Sequence, residues 1–204
     1  MLDIEGCIVT IDAMGTQTKI ARTIRDRGAH YVLCVKDNHR NLHDSIIFAN
    51  LDPRGPLTPA STHESTSTGH GRIEVRRCRV YDAVDRLHNA AAWNDVASFA
   101  VVERIRTVGD HTSTERVCYI SSLPADAERI ALAVRSHWEV ESVPQAHSKE
   151  VQHEPTGCVE AAWKMRVGPS ESAFRSRLQT TPSCCGQEPS VVSVGVKASG
   201  PYPE

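Results

Sequence analysis

Two carboxylates stand where an acid can do chemistry. Asp12 closes Cys7–Asp12 (CIVTID), a short β-branched, apolar run that reads as a buried strand. Ligand sites of α/β sheets lie at the C-terminal ends of parallel strands; the alternative is a carboxylate that only caps the next turn. Glu141 ends a helical pattern in which Ile130, Val134, His137 and Glu141 advance by four, three and four, placing it on the apolar stripe. A buried carboxylate needs a cation, a metal or a proton to offset its lost hydration. The alternative is a helix that frays after Trp138 and leaves Glu141 in solvent. Together, Asp12 and Glu141 are an all-oxygen, hard-ligand pair that suits Mg²⁺ or Mn²⁺ rather than zinc. Two such ions about 4 Å apart serve phosphodiester chemistry, so a third ligand is expected.

The basic residues cluster in Gly69–Arg79 (GHGRIEVRRCR). As a strand, this run puts Arg72, Glu74 and Arg76 on one face and Ile73, Val75, Arg77 and Arg79 on the other. Such arginines track a phosphate backbone, or else protect a solvated edge strand from aggregation. Lys36, directly after the second apolar run, can reach the same surface. His137 and Trp138 are either nucleic-acid contacts or a core tryptophan beside a satisfied histidine. The remaining histidines, His39, His43, His70, His88 and His111 among them, show no metal-ligand spacing.

The positioning elements follow from pattern. Gly15 and Thr16 come after the first strand; Ile20, Ala21 and Ile24 have helical spacing, and Gly28 ends that helix. Tyr31–Val35 (YVLCV) is a second buried strand, and Asn38 can cap a helix with Leu42, Ile46 and Ile47 inside. Strand–helix–strand–helix predicts two parallel strands. Residues 51–71 are rich in Pro, Ser, Thr and Gly and read as a loop. Ile73–Tyr81, Ser98–Thr107 and Thr112–Ser121 read as antiparallel strands, the last two joined by Gly109–Asp110. A helix runs from about Ala125 to Glu141, with Asp126 and Glu128 in its first turn.

The composition is that of an ordinary globular chain of 204 residues, 40% hydrophobic and 24% charged, with formal net charge −2. That excludes a polybasic tail. No apolar run reaches the roughly 18 residues a membrane span needs, and no secretory signal opens the chain. Seven cysteines, without a Cys-x-x-Cys pair, point to a reducing, cytoplasmic setting. Residues 1–142 hold all eleven isoleucines and every aspartate; residues 143–204 hold none of either, one leucine (Leu178), and seven of the eleven prolines. That tail is expected to be disordered. It is either a natural linker or the product of a shifted reading frame, with Cys184–Cys185 favouring the shift.

The blocks IVTIDAMGTQ (8–17), YVLCVKDNH (31–39), GHGRIEVRR (69–77) and YISSLPADAERIALAVRSHWEVES (119–142) resemble, in order and spacing, bacterial insertion-sequence transposases of the H-repeat-associated DDE group. The resemblance covers residues 1–142. It implies an α/β, RNase H-like fold: a partial core at 1–50, a β-rich antiparallel insertion at 51–122 and the catalytic-helix segment at 123–142. It implies Mg²⁺ or Mn²⁺ held by three carboxylates, two of them Asp12 and Glu141. It further implies DNA contacts at Lys36, Asn38, Arg72, Arg76, Arg77 and His137, with transposon-end DNA as partner. Departures accompany it. The first family aspartate lies on a strand upstream of the TID block, and Asp3 precedes the wrong strand to replace it. The family's HWxIEN asparagine is Ser142, and its Asn-Gln is Asn38-His39. The expectation is a truncated copy that does not catalyse strand transfer alone. Two alternatives are a DNA-binding remnant that pairs with itself or with intact transposase and inhibits it, and a product without function.

Overall fold

The computed structural model describes residues 4–49, 55–69, 71–142 and 191–194, with backbone alone at 139–142 and 193–194. The first strand, β1 (Ile8–Ile11), is buried along its whole length. It leads through a 3-10 turn (Ala13–Gly15) into α1 (Thr18–Asp26), whose buried residues are Ile20, Ala21 and Ile24. The spacing of those three is why the segment is a helix: only one stripe has to be covered. Gly28, at φ +71°, turns the chain out of the helix, and the Ala29 amide returns to the Ile24 carbonyl at 3.2 Å. β2 (His30–Val35) lies parallel to β1, with Ile11 opposite Leu33, as expected from strand–helix–strand. A second 3-10 turn (Asp37–His39) precedes α2 (Arg40–Ile47).

Four long antiparallel strands come next. β3 (Ser61–Gly69), β4 (Arg72–Tyr81), β5 (Ser98–Val108) and β6 (His111–Ser121) pair in sequence order, and β6 joins β2 antiparallel. Gly109, at φ +56°, makes the β5–β6 hairpin turn. α3 (Ala127–Ser142) follows, and β7 (Val191–Val194) pairs parallel with the free side of β1. The described strands form one seven-stranded sheet in the order β3-β4-β5-β6-β2-β1-β7.

The helices cover the sheet from two sides. α1 and α2 pack Ile20, Ile24, Leu42 and Ile46 on Val9, Ile11, Tyr31, Leu33, Phe99 and Ile120. α3 packs Ala127, Ile130, Ala133 and Val134 on Ile8, Val32, Cys78, Val80, Ala100 and Tyr119. Each fully buried aliphatic contributes about 1.5–3 kcal/mol, so the two clusters hold the strand ends in register. Asp126 caps α3 by accepting the Arg129 amide at 3.1 Å, and Ser61 Oγ takes the Ala127 amide at 3.0 Å.

Two sequence expectations are corrected. Residues 51–71 are not wholly loop, because Ser61–Gly69 is a nine-residue strand whose backbone pairs with β4 residue by residue. β3 is therefore the sheet edge, and the arginine-bearing β4 lies inside. Within the tail expected to be disordered, Val191–Val194 form β7, with Val192 only 3% exposed beside β1, while the rest of 143–204 lies outside the described residues. A free β1 edge and a run of valines overcome the low local tendency of that segment. Among the described residues no helix is long and apolar enough to cross a membrane.

Candidate active site

The side chains of β1 alternate. Val9 and Ile11 enter the α1–α2 core, while Ile8 packs on the α3 side and Thr10 reaches His137 there. Asp12 continues the Thr10 row beyond the strand, with extended backbone at φ −69°, ψ 165°. Its carbonyl accepts the Gly15 amide at 2.9 Å, but its side chain makes no capping hydrogen bond. The turn is capped by backbone, and the carboxylate is left to face the strand end, 29% exposed, with Lys36 Nζ 3.7 Å from Oδ1. An ion pair this exposed contributes less than about 1 kcal/mol.

The loops after β1 and β2 are stitched together. Thr16 Oγ1 donates to the Cys34 carbonyl at 2.6 Å, and His39 Nε2 lies 2.7 Å from the Thr16 carbonyl. Asn38 Nδ2 donates to the Ala13 carbonyl at 2.5 Å while Asn38 Oδ1 accepts the Lys36 amide at 3.3 Å. Asn38 thus spends its amide on the two loops that carry Asp12 and Lys36, rather than capping α2, whose N-cap is His39. The sequence suggests Thr16 as a helix N-cap and gives His39 no role; the N-cap of α1 is Gln17, and the bonds that Thr16 and His39 make across the loops have no periodicity to read.

α3 approaches the same place. His137 is 6% exposed, and its Nδ1 lies 3.3 Å from Thr10 Oγ1 on β1. Trp138 Nε1 donates to the Tyr119 hydroxyl at 3.3 Å, and burial pushes the Tyr119 phenol up so that it stays protonated. Lys36 Nζ sits 6.0 Å from the Trp138 ring centroid. The end of α3 therefore runs beside the end of β1, and Glu141 lies one turn beyond His137. The Glu141 side chain lies outside the described residues. Among those that are described, no group of three or more His, Cys, Asp and Glu side chains could hold a metal ion. Asp12 alone still fits a hard cation: its carboxylate is accessible and is not used by the turn, although the Lys36 ammonium beside it competes for the same oxygens.

The arginines divide between the two faces of the sheet. Arg77, half-exposed, meets Glu64 at 2.6 Å on the face away from α3; there Glu103, 5% exposed, takes Arg116 at 2.8 Å, Arg77 at 3.8 Å and Arg79 at 3.9 Å. The Glu64 hydrogen bond holds the Arg77 guanidinium firmly protonated, and the Arg116 hydrogen bond pulls the Glu103 carboxyl below its ordinary range. Arg72 and Arg76 lie on the α3 face, both against Glu74, which is 4% exposed. They line a cavity of about 360 Å³ between the sheet and α3, to which Arg104 and Trp138 also contribute.

The mixed α/β sheet gathers Asp12, Lys36 and the end of α3 at the termini of its parallel strands, where ligand sites of α/β sheets lie. Residues 1–144 match the family model described as "Transposase DDE domain", and the chain belongs to that family. Three curated relatives are similar to it. An uncharacterized protein in the dhlA 3′ region of Xanthobacter autotrophicus is 35% identical over 126 residues, 62% of this chain and 42% of the relative. The putative protein YbfL of Escherichia coli K12 is 34% identical over 152 residues, 70% of this chain and 39% of the relative. The H repeat-associated putative transposase YhhI of the same strain is 33% identical over 152 residues, with the same coverage. The chain thus spans about two fifths of the length of these relatives. A sugar N-methyltransferase structure aligns at 16% identity with a TM-score of 0.26, too distant to bear on the fold.

Proposed function

We propose that this chain is part of a metal-dependent DNA strand-transfer apparatus, with Asp12 and Glu141 as two of its metal-binding carboxylates. The observation that carries the reading is Asp12: a strand-end carboxylate, unused by its own turn, with Lys36 at 3.7 Å and the end of α3 alongside. On this reading residues 1–50 and 123–142 are an RNase H-like core, and 51–122 an insertion that carries basic strands. Bound Mg²⁺ or Mn²⁺ would supply a lowered pKa for the attacking water or 3′-hydroxyl and neutralise charge gathering on the phosphate. The protein's own part is positional. Thr16, Asn38 and His39 fix the two loops so that Asp12 and Lys36 keep their spacing. His137, held against Thr10, sets the rotation of the helix turn before Glu141. Lys36 adds positive charge where a phosphodiester would enter.

Two carboxylates hold a divalent ion weakly, and the family chemistry calls for three. The chain by itself is therefore expected to bind Mn²⁺ without turning over DNA, and an intact relative is the partner that would complete the site. The test is Mn²⁺ titration followed by electron paramagnetic resonance on the wild type, Asp12→Asn and Glu141→Gln, alongside strand transfer on transposon-end DNA. Loss of bound Mn²⁺ in both variants supports the reading. Mn²⁺ binding that neither variant weakens overturns it, and turnover by the wild-type chain alone overturns the inactivity.

A further inference from the structure

The cavity under α3 is strongly charged. Five arginines line it: Arg72, Arg76, Arg104, Arg106 and Arg135. Only Glu74 and Glu115 oppose them, which leaves an excess of three positive charges. The two glutamates are not ligands waiting for a cation. Glu74 is clasped by Arg72 and Arg76, and Glu115 takes Arg104 at 2.5 Å. Each carboxylate fixes the guanidinium beside it, so the arginines are ordered before any ligand arrives. Arginine forks match phosphate oxygens bidentately. The far wall is Trp138, whose ring has Arg104 Cζ at 6.0 Å and Lys36 Nζ at 6.0 Å. Trp138 is thus a wall of the cavity and a neighbour of the Asp12–Lys36 pair.

We propose that this cavity is a phosphodiester channel for one strand of DNA, leading to Asp12. The inference rests on the strand-transfer reading above and gives its substrate an entry path and a strandedness. The volume, about 360 Å³, is that of a small-molecule pocket. It accommodates a nucleotide-sized length of one strand and excludes a duplex. The opposite face of the same sheet also carries arginines, but there Arg77, Arg79 and Arg116 converge on buried Glu103. The sheet is therefore one-sided: the α3 face receives phosphate and the other face neutralises itself.

The experiment uses the full chain in EDTA, so that no metal contributes. Fluorescence anisotropy follows a labelled oligothymidylate, a duplex of equal length and, as competitor, inorganic phosphate, each over a salt series. The single strand is expected to bind at least several-fold more tightly than the duplex. Arg104→Gln and Arg106→Gln should each weaken it several-fold and lower the salt slope by about 0.7, one phosphate contact for single-stranded nucleic acid. Arg104→Lys and Arg106→Lys should keep that slope, and Arg116→Gln on the other face should change neither quantity; thermal melts confirm that each variant is folded. Equal losses in Arg116→Gln and Arg104→Gln, parity of single strand and duplex, or displacement by phosphate at the oligonucleotide's own concentration would overturn the channel. The two readings fail separately. Oligonucleotide binding that depends on Arg104, with Mn²⁺ binding indifferent to Asp12, sinks the metal site and leaves the channel; the reverse result leaves the metal site alone.

Discussion

Replacing Glu103 with glutamine keeps the shape of the side chain and removes its charge. Glu103 is 5% exposed and faces three guanidinium groups, at 2.8, 3.8 and 3.9 Å. A hydrogen bond to a charged partner contributes about 1.5–3 kcal/mol. Glutamine can still accept one bond from Arg116, and all three arginines are partly exposed and can rehydrate, so the loss sits near the lower end, about 2 kcal/mol. For a chain of this size that is a fall of about 4–8 °C in Tm. The pH dependence sharpens the test. The Glu103 carboxyl is held below its ordinary value, first by the Arg116 hydrogen bond and then by the charges of Arg116, Arg79 and Arg77, against desolvation. A depressed carboxyl contributes stability that is present above the unfolded pKa, near 4.5, and is lost as pH falls through the folded one. Glu103→Gln and the wild type should therefore differ most at neutral pH and converge in acid, once the folded carboxyl takes up its proton. Urea unfolding monitored by circular dichroism at both pH values measures this directly. A difference that persists undiminished in acid, or a variant as stable as the wild type at neutral pH, would refute the account of this face as a closed ion-pair network.

Three further outcomes follow from particular contacts. Gly28→Ala should cost about 1–2 kcal/mol in thermal unfolding, because φ is +71° and the new Cβ would stand 3.1 Å from Glu5 Cγ. Burial pushes the thiols of Cys34, Cys78 and Cys118 up to about 12, so they stay protonated at pH 8; peptide mapping after iodoacetamide should find them unmodified in the native chain and labelled in urea. Lys36→Met should tighten Mn²⁺ binding by up to about fivefold in the resonance titration, since an exposed ion pair of at most about 1 kcal/mol no longer competes for Asp12.

Much of the positioning scaffold was legible because it rests on short-range pattern. Ile20, Ala21 and Ile24 with Gly28 delimit α1 to within two residues of the reading, and the alternation along β4 places Arg72 and Arg76 opposite Arg77, as the pairing with β5 bears out. What was not legible depends on partners distant in the chain. β3 has the composition of a loop, Ser-Thr-His-Glu-Ser-Thr-Ser-Thr-Gly, and becomes a strand because β4 offers it a ladder. Pattern left open whether Asp12 caps the turn, and the turn's backbone decides it by taking the bond itself. The Glu103 network joins residues on three strands in register, a condition that no single segment carries. For the same reason Arg104 and Arg106 escaped notice: they stand in an ordinary alternating strand, and only the fold brings them under α3.

β7 poses the sharpest question about what completes the sheet. Without it, β1 has one partner and an open row of backbone donors and acceptors beside the Asp12 site. With it, Val192 lies opposite Val9, joins the α1–α2 core at 3% exposure, and its carbonyl accepts Thr10 Oγ1 at 3.5 Å. Thr10 is the residue that also meets His137, so the strand braces the contact between β1 and α3. Val192→Ala removes two methyl groups' worth of buried surface and leaves a small void, a loss of about 2 kcal/mol. Val192→Asp buries a charge with no cation in the surrounding aliphatic cluster and should release the strand altogether. Released, β1 loses one of its two ladders, and hydrogen exchange at the amides of Ile8–Ile11 should rise well above that of β5, which keeps both neighbours. If Val192→Asp melts with the wild type and β1 remains as protected as β5, then β7 contributes nothing to the sheet. Thr10 and His137 would in that case have to hold the end of α3 over Asp12 unaided.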